Sequence, residues 1–116
     1  MIASNCKKKQ NKAAALIDDD ALVHMTWKVA ARSAGVALKQ FKNPADFIAI
    51  CETLPKNTPI YIDSDLGGGQ KGEKIAKAIY AKGFKTIYLE TGHQPGSFPG
   101  MPWIKKVIGK DPPWAG

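Results

Sequence analysis

Short apolar runs that end in acidic or hydroxyl residues alternate along this chain with stretches whose apolar positions recur every three to four residues. Ala13-Ala14-Ala15-Leu16-Ile17 stops at Asp18-Asp19-Asp20 and has the length of a buried strand. Asp20 is placed to cap the helix expected over residues 21–33, because its side chain can accept from free N–H groups of the first turn. On that helix Leu22, Met25, Val29 and Ser33 form one stripe, and Val23, Trp27, Ala30 and Ala34 the adjoining one. Together they predict a broad inward face. Gly35 suits the stop, and residues 36–41 alternate like an edge strand. Asn43-Pro44 opens a second helix with a capping side chain and a preset φ. Phe47, Ile50, Cys51 and Leu54 follow at helical spacing.

Ile60-Tyr61-Ile62 is the next buried strand, ending at Asp63. A loop with three consecutive glycines, Gly67 to Gly69, leads into a helix expected over residues 72–82, with Ile75, Ala78 and Ile79 inward. Residues 85–90 form a further strand that stops at Thr91-Gly92. Residues 93–102 are too rich in Gly and Pro for a regular helix. Residues 103–108 are the last strand expected, before Gly109-Lys110-Asp111-Pro112-Pro113. Strands alternating with helices imply a mainly parallel sheet with helices on its faces. Ligands of such sheets bind at the carboxyl ends of the strands. Asp18, Asp19, Asp63, Thr91 and Lys110 each lie at or just past a strand end.

That placement defines a chemistry. Several carboxylates in one pocket repel one another unless a cation joins them. Mg²⁺ suits one or two carboxylates together with water and a phosphate oxygen. A metal, a lysine and a hydroxyl around an attacking Asp oxygen make a phosphoryl-transfer site.

Composition narrows the partners. A length of 116 residues fits one domain, read as a flexible basic arm over 1–12 and a folded unit over 13–116. The net charge of +7 alone suggests a polyanion. The lysines are scattered, however, and no aromatics alternate with them, so no nucleic-acid partner is expected. Lys7, Lys8 and Lys9 precede an apolar stretch that is too short for a leader. No run approaches the roughly 20 residues of a membrane span. Cys6 and Cys51 make no disulfide framework, which fits a reducing, cytoplasmic setting. Asp18-Asp19-Asp20 alone would read as an ordinary helix start; the ordered set of acids, Thr91 and Lys110 raises it above that. His24 is read as a helix-surface position, His93 as a loop histidine without a role rather than one at the pocket rim, and Trp27, Trp103 and Trp114 as packing residues.

Leu16-Ile17-Asp18-Asp19-Asp20, Ile60-Tyr61-Ile62-Asp63, Tyr88-Leu89-Glu90-Thr91-Gly92 and Ile108-Gly109-Lys110 resemble, in order, the four motifs of response-regulator receiver domains. The resemblance spans residues 13–113. It implies an α/β, flavodoxin-like (CheY-like) three-layer sandwich around a five-stranded parallel sheet of order 2-1-3-4-5. It also implies a phosphoacceptor in a two-component phosphorelay rather than an enzyme. Asp63 would take the phosphoryl group from a histidine kinase or a histidine phosphotransfer domain. Mg²⁺ would be held by Asp19 directly, Asp18 through water, Asp63, and the backbone carbonyl of Asp65. Thr91 and Lys110 would bind phosphoryl oxygens.

The chain departs from the family in four places. Asp111 separates Lys110 from Pro112, and Val107 stands where the family has its aromatic switch residue. The fourth helix is replaced by loop, and no room remains for the fifth. This short form resembles receivers attached to hybrid sensor kinases. The sheet face left by the fifth helix is expected to be covered by a second copy in a homodimer, by the N-terminal arm, or by Trp103 and Trp114 folding back. Two rival readings stand beside this one. The first is a haloacid-dehalogenase-like phosphatase with Asp63 as nucleophile and Asp65 as acid/base. The second is a receiver-like interaction module that is never phosphorylated.

Overall fold

A computed structural model describes residues 12–92 and 100–114. The elements run β1 (Ala13–Ile17), α1 (Ala21–Ala34), β2 (Ala37–Phe41), α2 (Pro44–Ile50) with a following 3₁₀ turn (Cys51–Thr53), β3 (Ile60–Asp63), α3 (Gly72–Ala81), β4 (Ile87–Glu90) and β5 (Lys106–Ile108). The five strands are all parallel and lie in the order β2-β1-β3-β4-β5. This is the expected doubly wound sheet, with β2 at one edge.

The local signals act as read. Asp20 accepts from Leu22 N at 2.8 Å and caps α1. Gly35 ends it in the left-handed conformation, with φ 73°, which costs glycine nothing. Asn43 caps α2 through Asp46 N at 2.9 Å.

One face of the sheet is aliphatic. Ala15, Ile17, Ile60, Ile62, Ile87 and Leu89 pack there against Phe47, Cys51, Leu54, Ala76, Ile79 and Phe84. On α3 the buried positions are Gly72, Ala76 and Ile79, with Ile75 half-buried and the expected Ala78 exposed. The other face carries Ala14, Leu16 and Tyr61 under Trp27, Ala31 and Val36. Here α1 departs from the expected inward face. Leu22, Met25 and Val29 are 69%, 64% and 63% exposed, while His24, Trp27 and Ala31 are buried. The buried row matches neither expected stripe in full: Trp27 is buried with Val23 and Ala30 half-buried beside it, Ala34 is exposed, and His24 and Ala31 complete the inward face.

Trp114 folds back as expected, with its ring 5.4 Å from Trp27 and 5.9 Å from Tyr61. Trp103 does not join it. It packs on the aliphatic face, where its Nε1 donates to Glu73 O at 2.8 Å and Lys77 lies over its ring. Turned away in this manner, Trp103 lies outside the last strand, which is shorter than expected. A cleft of about 350 Å³ remains over Tyr61 and Tyr88. No helix occurs between residues 100 and 114. Cys6, His93 and the arm over 1–11 lie outside the described residues.

Candidate phosphoryl-transfer site

The three acids after β1 divide the work among them. Asp18 is fully buried, and its Oδ1 accepts from Asp20 N at 2.8 Å. Asp20 is engaged in capping, and Asp19 is left exposed. The main chain at Asp18 is braced from below by His24, read earlier as a surface residue. His24 Nε2 lies 2.6 Å from Asp18 O, and Gln40 Nε2 lies 3.0 Å from His24 Nδ1 and 2.7 Å from His24 O. A carbonyl can only accept and an amide N–H can only donate, so in this pattern Nε2 is the donor to Asp18 O and Nδ1 the acceptor from Gln40.

Asp63 ends β3, one strand over. Carboxylate oxygens of Asp18, Asp19 and Asp63 lie within 4.8 Å of one another, a spacing that one hard divalent ion with oxygen ligands can span. The acids and their bracing therefore fit Mg²⁺. Burial raises the Asp63 pKa above the ordinary aspartate value, opposed by the bond from Lys110 and reinforced by Asp18.

Asp65 is exposed. Its N–H donates to Asp63 Oδ1 at 3.2 Å, while its own carboxylate accepts from Gly67 N at 3.2 Å. Gly67, Gly68 and Gly69 all have positive φ, and a Cβ on Gly67 would press on Asp19 Oδ2 at 3.1 Å. The glycines thus shape the loop over the acids. Gly72 has a stricter reason, not foreseen from sequence: a Cβ there would run into the carbonyl of Asp63. Its absence lets the start of α3 sit against the end of β3.

Lys110 is drawn in from beyond β5. Its Nζ lies 2.8 Å from Asp63 Oδ1, 3.2 Å from Asp18 Oδ2 and 3.5 Å from Glu90 Oε1. Burial opposes the charge on Lys110, yet these three carboxyl groups outweigh it and push its pKa above the ordinary lysine value. Its main chain is held separately, because Trp27 Nε1 donates to Lys110 O at 2.8 Å. Thr91 is buried directly after β4, and its N–H donates to Ile108 O at 3.0 Å.

Glu90 was missed as a site residue. It is fully buried, and burial first and Asp18 second push its pKa up to about 9. Strand parity would have found it. Asp63 pairs with Glu90, and Glu90 with Ile108. Side chains at paired positions of a parallel sheet share a face, so Glu90 lies between Asp63 and the strand that leads to Lys110.

No protein-family model matches the sequence, and no curated protein is similar to it. Solved structures are. The N-terminal domain of a response regulator/sensory box/GGDEF three-domain protein from Carboxydothermus hydrogenoformans aligns with a TM-score of 0.68 at 18% identity, over 85% of this chain and 82% of that one. The fold is the receiver-domain fold. A CheY-like receiver domain from Methylobacillus flagellatus aligns at 0.67 and 15% identity, over 88% and 86% of the two chains. The signal receiver domain of a modulated diguanylate cyclase from Desulfovibrio desulfuricans G20 aligns at 0.59 and 23%, over 71% and 65%. In this receiver fold, no helix among the described residues is long and apolar enough to cross a membrane.

Proposed function

We propose that this chain is a phosphoacceptor receiver domain in two-component signalling. Asp63 would take a phosphoryl group from a phosphohistidine of a histidine kinase or phosphotransfer domain, in the cytoplasm. The observation that carries the reading is the convergence of Asp18, Asp19, Asp63 and Lys110 at one end of the sheet, from three separate segments of chain.

In the proposed transfer a carboxylate oxygen of Asp63 attacks phosphorus. The O–P bond forms, the P–N bond breaks, and its electron pair returns to the imidazole nitrogen, which takes up a proton. Lys110 turns its ammonium from Asp63 to a phosphoryl oxygen. The Thr91 hydroxyl donates to another. Asp18, braced by His24 and Asp20, holds the carboxylate geometry. Mg²⁺, held by Asp18, Asp19, Asp63 and the backbone carbonyl of Asp65, would neutralise oxygens of the transferring group. The phosphatase alternative asks for an Asp65 carboxyl free to serve as acid/base. In this geometry Oδ1 of that carboxylate accepts from Gly67 N–H at 3.2 Å and the side chain is exposed, turned to its own loop.

The test is titration with beryllofluoride, a phosphoryl mimic, in the presence of Mg²⁺. The expected result is saturable binding in the wild-type chain that disappears in Asp63→Ala. Binding that persists unchanged in Asp63→Ala, or none in the wild-type chain, would overturn the proposal.

A further inference from the structure

Lys110 has three carboxyl partners, and two of them belong to the candidate metal cluster. A cation on Asp18, Asp19 and Asp63 competes for the oxygens that Lys110 Nζ now touches on Asp63 at 2.8 Å and on Asp18 at 3.2 Å. Glu90 is the remaining partner. It stands outside the cluster, fully buried, with Oε1 3.5 Å from Lys110 Nζ. Neither of its side-chain oxygens has a close hydrogen-bond partner among the described residues. A fully buried carboxyl without such a bond is costly. The ammonium of Lys110 is the cation within reach of it, whereas the nearby Asp18 carboxyl only raises the Glu90 pKa further.

The sheet supports this geometrically. Asp63, Glu90 and Ile108 are paired side by side. Lys110, two residues past Ile108, therefore has to cross over Glu90 to reach Asp63. Its main chain stays pinned by Trp27, so the ammonium moves on a short tether.

We propose that Glu90 is a positioning residue for Lys110. It is the carboxyl group that keeps the ammonium at the pocket when a divalent ion claims Asp18 and Asp63, ready to meet an incoming phosphoryl oxygen. The assignment rests on the receiver reading for its purpose. The Glu90–Lys110 contact itself does not.

The test compares wild-type, Glu90→Gln and Glu90→Leu chains by two readouts. The first is the ¹⁵N–¹H signal of the Lys110 ammonium, assigned by its loss in Lys110→Ala and followed without and with saturating Mg²⁺. The second is beryllofluoride affinity. In Glu90→Leu the ammonium signal should survive without Mg²⁺ and vanish with it. Beryllofluoride affinity should fall about tenfold, the order of one hydrogen bond to a charged group. Glu90→Gln, which keeps an oxygen acceptor, should restore the signal and most of the affinity. In a Lys110→Ala background, Glu90→Leu should have no further effect on affinity. A Glu90→Leu chain with an unchanged signal under Mg²⁺ and unchanged affinity would reduce Glu90 to a filler of space and overturn the proposal. If the signal behaves as expected but even the wild-type chain binds no beryllofluoride, the positioning role stands and the receiver reading falls.

Discussion

The two faces of the sheet are built by different rules. The face under α2 and α3 is aliphatic along its whole length, sealed by Phe47, Phe84 and the returning Trp103. The face under α1 begins with mixed apolar groups, Ala14, Leu16, Tyr61 and Tyr88, and ends in Asp18, Asp63 and Glu90. Along β1, β3 and β4 the same side that packs Trp27 and Trp114 at one end holds the charged pocket at the other. One helix and one folded-back tryptophan cover only part of this face, and a cleft stays open over Tyr61 and Tyr88. Where the face turns polar, at the acids, no apolar cover is needed.

That contrast can be broken by substitution. Phe47→Ala empties a fully buried position on the sealed face. It should cost about 3–5 kcal/mol in urea unfolding while leaving the Mg²⁺ affinity of the remaining folded protein unchanged. Trp27→Phe strikes the other face, removing both ring volume and the N–H that holds Lys110 O. A loss of about 2–4 kcal/mol is expected, this time with weakened beryllofluoride binding at temperatures where the chain is still folded. Equal loss of binding in both variants would erase the distinction between the faces.

The smallest effect concerns Tyr61, whose phenol is pushed up to about 12 by burial and then by stacked Tyr88. In the unfolded chain that phenol ionises near 10. Between those two values the unfolded state loses its proton first, so stability falls as pH rises. Tyr61→Phe should remove this part of the alkaline slope, at most about 2 kcal/mol by pH 12, read as the shift of the urea midpoint with pH.

Much of this architecture could be read from residue order. β1, β3 and β4 are apolar runs cut off by Asp or Thr, and a parallel sheet puts such endings on one rim. Asp20, Asn43 and Gly35 announce helix ends by mechanisms local to a few residues. What escaped was whatever depends on a neighbour far away in sequence. Leu22, Met25 and Val29 match the helical period as well as the true inward residues do, and only the sheet beneath α1 turns the inward face onto His24, Trp27 and Ala31. His24 looks like any polar helix position until Gln40 and Asp18 O close around it. Gly72 gives no hint that Asp63 O fills the space of its absent Cβ. Glu90 looked like the end of a strand, although its parity with Asp63 was there to be counted.

The indole bond from Trp27 to Lys110 O joins positions 83 residues apart. Closing so long a stretch of polymer sacrifices entropy before any contact repays it, and parallel pairing adds to the delay. Contacts of this sequence separation are expected to form after the local ones, which hydrogen-exchange protection of the Trp27 indole N–H during refolding would check. A chain that keeps its helices but releases this tether loses the hold on the Lys110 main chain and keeps only the side-chain contacts to the acids.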